Sequence, residues 1–327
     1  MKILRGGDMQ LPEPCVLAIG KFESIHLGHR ALIAEMLRAA VCENLPAALL
    51  VFTPHPYRVL FDPGYKPLLT DRERQHIVGN LGVDYLLEYP FTPEFAAMPP
   101  ECFCQKIFNE LRAQVVVVGQ GYRFGYNRTG TVDTLRQLAQ PAGAQIHVVP
   151  LHAKASQDTH KTSTSAIRSL LTEGKLAEAE ALLGYPFFIM GHVTPGRQLG
   201  RTIGFPTINL YPPEDKFLPE NGVYATRTTL GGQTYKSITN IGLNPTVTGE
   251  NSGLPVETDT MHTVHQICLN NAQKAAETHI FGYSGDAYGM SAKVEFLRFI
   301  RPEQRFDSLD ALKAQIDNDC RVLKNAP

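Results

Sequence analysis

The chain has 327 residues, 43% of them hydrophobic and 19% charged, with 31 Lys and Arg against 32 Asp and Glu. This length predicts two domains, or at most three, and the composition excludes a disordered chain. A net charge of −1 provides no bulk positive charge, so we expect no nucleic-acid partner. No apolar run reaches about 18 residues and no signal-peptide core is present, so we expect no membrane partner. The six cysteines form no CxxC pair, which indicates reduced thiols and a cytoplasmic protein.

The first half of the sequence alternates short apolar runs with amphipathic segments. The apolar runs are rich in β-forming residues and lie at 16–19, 47–52, 85–87, 115–118 and 146–149. Between them, helical apolar spacing occurs near residues 29–42 and again at 103–111. Because runs that are apolar throughout indicate strands buried on both faces, we expect a doubly wound α/β domain with a parallel sheet. Ligands of such sheets bind beyond the carboxyl ends of the strands, so the loops after Ile19, Phe52 and Val118 are candidate sites.

The pattern changes near Gly184. A helical stretch over residues 165–183 ends in Gly184-Tyr185-Pro186, a combination that stops helices. Beyond it, short β-rich segments at 187–193, 222–229, 235–241 and 292–300 are separated by Gly, Pro and Asn, and a last helical pattern covers 309–323. This half predicts an antiparallel sheet or small barrel followed by a helix. We therefore expect two domains, residues 1–184 and 185–327.

The loop directly after the first of these predicted strands carries the first candidate site. It reads GKFESIHLGH at 20–29 and leads into a helix. Gly28 allows the backbone to approach phosphates closely, and a helix N-terminus favours anions. His26 and His29 can donate hydrogen bonds to the charge that develops at an α-phosphate. An ordinary pair of loop histidines, or a metal-binding pair, is the alternative, but the position between strand and helix favours a nucleoside triphosphate site.

Two further loops follow predicted strands in the same way. Residues 53–56, TPHP, come after the second strand, and a glycine-rich loop at 119–130 follows the run of valines. The glycine-rich loop offers Arg123 and Arg128 to phosphate, although an ordinary flexible loop has the same composition. Both loops are predicted to lie at the same edge of the sheet as the first.

A fourth segment opens the helix that precedes the domain boundary. Ser163 and Thr164 stand at its start, where small hydroxyls usually serve as N-caps. Arg168 lies one turn further on, where its guanidinium can hold a polyphosphate. The four segments, in this order, resemble the FMN adenylyltransferase module of the bacterial bifunctional riboflavin kinase/FAD synthetase family, which belongs to the nucleotidylyltransferase superfamily.

This resemblance implies that the phosphate of FMN attacks the α-phosphate of ATP and that pyrophosphate leaves, with no covalent enzyme intermediate. It implies that His26 and His29 are the catalytic residues. The residues implied to bind ATP are Gly20, Phe22, Gly28, Ser163, Thr164 and Arg168. The residues implied to bind the flavin are Pro54, His55, Pro56, Arg123 and Phe124. The sequence departs from the family pattern at Lys21, Glu23, Ser24 and Gly121.

The stretch GRTIGFPTIN at 200–209 is the most informative part of the second half. Thr207 and Asn209 lie two residues apart, so in an extended strand both face the same side. A hydroxyl and an amide oxygen are hard ligands suited to Mg²⁺, although a PTxN alone would more simply be a turn and a polar edge strand. With the glycines before it, and with further motifs over roughly 187–322, the stretch resembles the riboflavin kinase module of the same family.

The second resemblance implies a six-stranded antiparallel β-barrel with a C-terminal helix. It implies transfer of the γ-phosphate of ATP to the ribityl 5′-hydroxyl of riboflavin, with Thr207 and Asn209 holding Mg²⁺·ATP. The residues implied to bind ATP are Gly200, Arg201, Gly204 and Pro206, and those implied to bind the flavin are Asn240 and Arg301.

Two carboxylates are candidates for the kinase base, because a Glu-Thr pair occurs at both ends of an apparent insertion at 258–276. Glu277 keeps the family spacing to the motifs downstream, and Glu257 keeps the spacing upstream. We assign the role to Glu277, because continuation of its strand into His279 fixes its orientation. Glu257 stays the alternative.

The leading hypothesis is a bifunctional enzyme whose partners are riboflavin, FMN and ATP, with Mg²⁺ accompanying ATP and flavin as substrate and product. One alternative is a riboflavin kinase with a degenerate adenylyltransferase domain, for which the departures at Lys21, Glu23, Ser24 and Gly121 are the reason. Another is a flavin-binding or regulatory protein without turnover. The HxGH signature also serves nucleotidyl transfer to other acceptors. The oligomeric state stays open.

Overall fold

The computed structural model describes residues 1–150, 162–196, 204–244, 273–304 and 306–324. Gly200, Arg201, Glu257 and all but the last four residues of the predicted insertion lie outside these ranges. The chain divides into two compact units. Unit 1 comprises Met1–Arg168, Leu182–Gly184 and Asp215–Phe217, and unit 2 comprises Ser169–Ala181, Tyr185–Glu214 and Leu218–Pro327.

Unit 1 is built on a parallel sheet of six strands. They are β1 (Lys2–Arg5), β2 (Cys15–Ile19), β3 (Ala47–Thr53), β4 (Tyr85–Pro90), β5 (Ala113–Gly119) and β6 (Gln145–Val149). They pair in the order β1-β4-β3-β2-β5-β6. The five apolar runs coincide with β2 to β6, and the doubly wound parallel sheet is confirmed. The edge strand β1 has only half-buried and exposed side chains, so it carries no apolar run that could indicate it.

The strand order reverses on the two sides of β2. β3 and β4 lie on one side, and β5 and β6 lie on the other. In open parallel sheets, such a switch point leaves a crevice at the carboxyl ends of the strands, where ligands bind. The loops after β2 and β5 begin at this point, which is where the sequence predicts the first candidate site.

Helices cover the sheet and connect its strands. Helix α1 (Leu27–Glu43) buries Leu32, Ile33 and Met36 on one face, as its apolar spacing predicts. The next helices are α2 (Pro56–Leu60), α3 (Asp71–Asn80), α4 (Pro93–Ala96), α5 (Pro100–Gln105) and α6 (Val132–Ala139). A π-helical turn (Lys106–Glu110) continues α5, and 3₁₀ turns lie at Tyr126–Arg128 and Gln140–Ala142. The apolar spacing at 103–111 therefore belongs to a helix that widens in its second half.

The predicted helix over 165–183 consists of two helices, α7 (Thr164–Thr172) and α8 (Leu176–Leu183). Gly174 separates them with a φ of +71°, in the left-handed region that ends helices and that glycine adopts without a steric cost. The apolar periodicity continues on both sides of this break, which is why the sequence pattern reads as one helix.

Unit 2 is built on an antiparallel sheet in the order β7-β12-β9-β10-β11-β8. Its strands are β7 (Phe188–His192), β8 (Thr207–Leu210), β9 (Gly222–Leu230), β10 (Gln233–Asn244), β11 (Gln273–Ile280) and β12 (Ser291–Arg301). An isolated bridge between Thr194 and Asn209 joins the two sheet edges, so the sheet curls into the predicted six-stranded barrel. β11 begins at Gln273, four residues inside the predicted insertion, and these residues pair with β10.

Side chains on the two faces of this sheet have different surroundings. On one face, the buried hydroxyls of Thr226, Thr239 and Thr278 form a chain of hydrogen bonds, each 2.8 Å long. On the opposite face, Val223 and Ile238 pack with the C-terminal helix α9 (Leu309–Lys324). The predicted C-terminal helix is confirmed. Within the described ranges, every helix is too short or too polar to cross a lipid bilayer.

Candidate active sites

The loop after β2 turns at two residues whose side chains are buried. Phe22 and Ile25 have φ values of +43° and +44°, and both side chains are fully buried. Gly20 lies against Phe22, since a Cβ at Gly20 would stand 2.9 Å from the ring. The Phe22 ring in turn lies 5.1 Å from the ring of His29. Phe22, predicted to bind ATP, thus supports the histidine from within unit 1.

His26 and His29 form a stacked pair at the start of α1. Their ring centroids are 3.8 Å apart with planes 7° from parallel, and His26 Nδ1 accepts the backbone N–H of His29. Burial lowers the pKa of His26 to about 4. Burial, with the neighbouring charges of His26 and Lys21, lowers the pKa of His29 well below its ordinary value. Both imidazoles are therefore neutral at pH 7. His29 Nδ1 is buried without a hydrogen-bond partner among the described residues, as a group awaiting a ligand would be.

Glu23 stands where the family has aspartate, and it joins three segments of unit 1. Its two carboxylate oxygens accept from the Tyr65 hydroxyl at 2.8 Å, and the Leu68 N–H donates to it at 3.3 Å. His55 Nε2 lies 3.4 Å and Arg168 Nη1 3.7 Å from its oxygens. Burial raises the pKa of Glu23, and the Tyr65 hydrogen bond opposes that rise. The carboxylate is therefore part of a buried polar cluster.

The other departures from the family pattern also fit the local structure. Ser24 Oγ and Thr164 Oγ1 are 3.0 Å apart, so the hydroxyl at the position of a family glycine adds a hydrogen bond. Lys21 places a cation in the loop, and its pKa is lowered by burial and then by the charge of Arg128. Gly121 is exposed, and none of the residues that the structure describes lies within 4 Å of the position its Cβ would take. Among the three positions, only Gly121 lacks a group that could contact a ligand.

His55 lies close to the same cluster. It follows a cis peptide bond between Thr53 and Pro54 and accepts the Tyr57 N–H at 3.2 Å, which caps α2. Its ring stacks on Tyr65 with the centroids 5.2 Å apart. Burial, followed by nearby positive charges, lowers the pKa of His55 to about 4. Pro56, the first residue of α2, is buried.

Arg168 projects from α7 toward this cluster. Its Nη1 donates to the carbonyl oxygen of Lys66. Its guanidinium carbon lies 4.7 Å from the ring centroid of Tyr65 and 4.5 Å from that of Phe217. At the start of the helix, Ser163 Oγ accepts the Ala166 N–H as an N-cap. Tyr65 and Phe217 belong to no recognised motif, so the sequence does not indicate them as site residues.

The glycine-rich loop after β5 is closed by two backbone hydrogen bonds between Phe124 and Gly130. The Phe124 side chain is buried, with its ring 5.7 Å from Phe103 and 5.5 Å from Tyr122. The structure therefore places this predicted flavin-binding residue in the core of unit 1, whereas Arg123 is exposed. Flavin binding by these two residues stays a prediction.

In unit 2, strand register places the predicted kinase residues side by side. Asn209 on β8 pairs with Glu277 on β11, and Glu277 pairs with Asn240 on β10. Directly paired residues point to the same face, so these three side chains form a row across three strands, named here the polar row. Thr207 pairs with His279 and lies on the same face.

Asn209 has the properties of a ligand for a hard cation. Its side chain is buried, and its Oδ1 has no hydrogen-bond partner among the described residues. Gly196 packs directly against this amide, because a Cβ there would overlap Asn209 Nδ2. With the Thr207 hydroxyl on the same strand face, this amide oxygen gives the hard oxygen donors that Mg²⁺ prefers. The two residues fit the predicted Mg²⁺ of Mg²⁺·ATP.

The segment that leads into β8 is attached to β11. His279 Nδ1 lies 2.8 Å from the carbonyl oxygen of Pro206, and its ring meets that of Phe205 edge-on with centroids 5.4 Å apart. Gly204, predicted to bind ATP, has a φ of +88°, and no described residue lies within 4 Å of the position that its Cβ would take. These contacts fix the entry into β8.

A cavity of about 340 Å³ is lined by four residues that lie on or beside the polar row and by residues of both apolar and polar character. The apolar residues are Phe205, Val223, Ile238, Phe306, Leu312 and Ile316. The polar residues include Thr207, Asn240, Glu277, Arg301, Glu303 and Asp319. A cavity that combines apolar walls with polar and charged groups suits an aromatic ring system that carries a hydroxylated chain.

Two carboxylates in this cavity are not indicated by the sequence. Asp319 on α9 accepts from Arg301 Nη2 at 2.8 Å and from Arg301 Nε at 3.0 Å, and its side chain is buried. Arg301, predicted to bind the flavin, is thus held in place by the C-terminal helix. Glu303 accepts from Asn240 Nδ2 at 3.3 Å and from Asn221 Nδ2 at 3.2 Å. In the sequence, the one feature that could indicate a site role for Asp319 is its position one helical turn after the apolar Ile316 on α9.

Two family models match the sequence, one described as FAD synthetase over residues 8–165 and one as riboflavin kinase over residues 183–326. A curated relative from Escherichia coli strain K12, named bifunctional riboflavin kinase/FMN adenylyltransferase, is 35% identical over 98% of this chain and 96% of its own length. A relative of the same name from Bacillus subtilis strain 168 is 31% identical over 93% of this chain and 90% of its own. A crystal structure of a protein from Streptococcus pneumoniae, named macrolide-efflux protein, is 27% identical with a TM-score of 0.82 and full coverage of both chains.

The Streptococcus pneumoniae protein is named for efflux, whereas both family models and the curated relatives are named for flavin enzymes. Likeness to that crystal structure shows that the fold is shared over the whole chain. The assignment of the family depends on the relatives at 31–35% identity, which cover nearly the full sequence. The chain therefore belongs to the bifunctional riboflavin kinase/FMN adenylyltransferase family and is a bifunctional transferase.

Proposed function

We propose that this chain phosphorylates riboflavin to FMN with one ATP and adenylylates FMN to FAD with a second. The observation that carries the proposal is that each unit gathers its own motif residues at one place. In unit 1, His26 and His29 stack on each other, and Arg168 Nη1 lies 3.7 Å from Glu23 Oε1 in the loop that precedes them. In unit 2, Asn209 pairs with Glu277. We assign the adenylyltransferase to residues 1–184 and the kinase to residues 185–327.

In the kinase reaction, the cavity in unit 2 binds the ring system of riboflavin among its apolar side chains, and Asn240 and Arg301 contact the flavin. The ribityl 5′-hydroxyl lies against Glu277, whose carboxylate accepts the hydroxyl proton as the oxygen attacks the γ-phosphate. The bond between the γ-phosphorus and the bridging oxygen breaks, and ADP leaves. The polar row positions Glu277 between Asn209 and Asn240, so its carboxylate stays on the face that lines the cavity.

Thr207 and Asn209 hold Mg²⁺·ATP beside this carboxylate. The bound Mg²⁺ would neutralise negative charge on the phosphate oxygens during transfer. Gly200, Arg201, Gly204 and Pro206 bind the nucleotide in this proposal, as the family motif implies, and the fixed entry into β8 keeps Pro206 beside His279.

In the adenylyltransferase reaction, a phosphate oxygen of FMN attacks the α-phosphorus of ATP, the bond to the bridging oxygen breaks, and pyrophosphate leaves. His26 and His29 are neutral at pH 7, so each donates one N–H to the α-phosphate oxygens, where negative charge increases in the transition state. Arg168 holds the departing polyphosphate. The segment around His55, with Pro54 and Pro56, and the loop with Arg123 bind FMN.

A product assay tests the proposal. Purified protein is incubated with riboflavin, ATP and Mg²⁺, and riboflavin, FMN and FAD are separated by chromatography. We expect FMN to form first and FAD to follow. FMN without FAD, also when FMN is supplied directly, would leave a kinase with a degenerate adenylyltransferase domain. Binding of flavin without either product would leave a protein without turnover.

The contacts of the unusual loop residues favour an active adenylyltransferase over a degenerate one. Glu23 is held by Tyr65 and Leu68, and Ser24 reaches Thr164. A departure that left a buried polar group unpaired would cost about 1–3 kcal/mol and disturb the loop, so these contacts support a loop that accommodates the departures without losing its shape.

A further inference from the structure

Three residues of the kinase half of the sequence belong to unit 1. Asp215–Phe217, named here the strap, is assigned to unit 1, whereas Glu214 before it and Leu218 after it belong to unit 2. Asp215 Oδ2 lies 2.7 Å from Arg58 Nη1, in an exposed ion pair. Exposed pairs of this kind contribute little to stability, so the other two residues of the strap determine its position.

Lys216 anchors the strap in the interior of unit 1. Its side chain has no exposed surface, and its Nζ lies 2.8 Å from Glu73 Oε2 and donates to the carbonyl oxygen of Leu68. The Glu73 side chain, also without exposed surface, accepts the Thr70 N–H at the start of α3. Since a buried charge without its partner is strongly unfavourable, this pair fixes the register of the strap.

Phe217 comes next and contacts Arg168. Its backbone N–H donates to the carbonyl oxygen of Pro67 at 2.9 Å, and its ring centroid lies 4.5 Å from the guanidinium carbon of Arg168. The ring of Tyr65 lies 4.7 Å from the same carbon. A guanidinium held against two aromatic rings gains cation–π stabilisation and loses freedom of rotation. The Lys66 carbonyl and the Phe217 ring therefore fix the position of the Arg168 guanidinium, although the two residues are far apart in the sequence.

We propose that Phe217 is a positioning residue of the adenylyltransferase site, which holds the Arg168 guanidinium in the place where it meets the polyphosphate of ATP. Lys216 serves this role indirectly, because it anchors the strap that carries Phe217. The inference rests on the proposed function of Arg168. It assigns a part in FAD formation to a segment that the sequence places in the kinase half.

The test uses full-length Phe217→Ala, with initial rates of FAD formation from supplied FMN measured over a range of ATP concentrations. We expect kcat/KM for ATP to fall about tenfold, the loss of one cation–π contact at a partly buried site. Riboflavin phosphorylation in the same preparation is expected to change less than twofold. Phe217→Tyr, which keeps an aromatic face, is expected to restore the rate. Glu214→Ala, an exposed neighbour outside the strap, is the matched control.

A double-mutant cycle with Arg168→Ala separates positioning from a structural effect. If Phe217 acts through Arg168, Phe217→Ala causes no further loss in the Arg168→Ala background. Additive losses in the double variant, or a normal rate for Phe217→Ala in a protein that makes FAD, would overturn the inference. Should Phe217→Ala fail to fold, Phe217→Leu preserves apolar packing without the π face and is expected to show the same loss. Absence of FAD from the wild-type protein would refute the proposed function itself and, with it, the inference.

Discussion

The two candidate sites are assembled by different physical means. In unit 2, backbone pairing alone places Asn209, Glu277 and Asn240 in one row, because directly opposed residues of neighbouring strands share a face. In unit 1, the loop after β2 is held by side-chain contacts with distant segments. Glu23 accepts a hydrogen bond from Tyr65, 42 residues away in the sequence, and Ser24 contacts Thr164, 140 residues away.

This difference shows which kind of site tolerates change. A site set by strand register keeps its geometry when one side chain is replaced, because the backbone ladder stays intact. A site set by a buried polar cluster loses the position of several groups when one member is removed, because the others are then left unsatisfied. A substitution in the unit 2 site should therefore remove only the chemical role of the replaced residue. A substitution in the unit 1 site should also displace the neighbouring side chains.

The largest effect is expected for Glu277→Gln. The amide is close in shape to the carboxylate but cannot take the hydroxyl proton, so kcat for riboflavin phosphorylation should fall about 10³-fold. The rate of FMN formation measures this, and FAD formation from supplied FMN in the same sample should be unchanged.

Glu295→Gln is the matched control for this substitution, because Glu295 lies on β12 in ion pairs with Arg227 and Lys293 and does not line the cavity. Near-normal kinase activity in Glu277→Gln would refute the assignment and return attention to Glu257. A loss accompanied by unfolding, seen as a lower midpoint in thermal denaturation, would refute the idea that register alone holds this site.

The second largest effect on a reaction rate is expected for His29→Ala. Removal of one neutral donor at the α-phosphate should lower kcat for FAD formation on the order of 10²-fold, with riboflavin phosphorylation preserved. Rates of both reactions in one preparation measure the split. His147→Ala, at a half-buried contact between β6 and Glu35 on α1, is the control. Equal rates of FAD formation in His29→Ala and the control would exclude a direct role for the histidine.

The contrast between local pairing and distant contacts also explains which parts of the fold the sequence predicts. Apolar runs predict β2 to β6, and the spacing of Thr207 and Asn209 predicts their shared face, because both signals are local and periodic. The edge strand β1 and the break at Gly174 are missed, since the first has no apolar run and the second interrupts no periodicity. Local patterns thus recover most of both sheets.

The partners that complete each site are not predictable in this way. Tyr65 lies in no motif, and its importance becomes visible only when Glu23, His55 and Arg168 are seen around it. The role of Asp319 is likewise recognised only from its ion pair with Arg301. Contacts between residues far apart in sequence leave no periodic signal in a single chain, so motif spacing finds the reacting groups and misses the groups that hold them.

A third prediction tests whether the unit 2 site also depends on a buried polar contact, as the unit 1 site does. Asp319→Ala leaves the Arg301 guanidinium, 15% exposed, without its carboxylate partner. We expect the free energy of unfolding to fall by about 3 kcal/mol and KM for riboflavin to rise, because a buried charge loses its partner and Arg301 its position. Urea denaturation and kinase kinetics measure the two effects. Asn318→Ala, an exposed neighbour on α9, should leave both near wild type, and similar values for the two variants would contradict the prediction.

The smallest predicted effect concerns the pH dependence of stability in unit 1, which depends on burial of a loop residue rather than on strand register. Burial lowers the pKa of His26 to about 4, so this imidazole stays neutral in the folded protein while the unfolded chain binds a proton below about pH 6.5. The unfolded state then binds more protons, and stability is lost as the pH falls from about 6.5 toward 4.

Between pH 7.5 and 5, this group alone should cost about 2 kcal/mol of unfolding free energy, as follows from the difference between the two pKa values. His26→Asn preserves a side-chain acceptor for the N-cap of α1 and removes the titration, so its stability should fall less steeply over that range. Urea denaturation at several pH values compares the two proteins. Identical slopes would show that His26 titrates normally in the folded state, and the loop would then be more open to water than its contacts indicate.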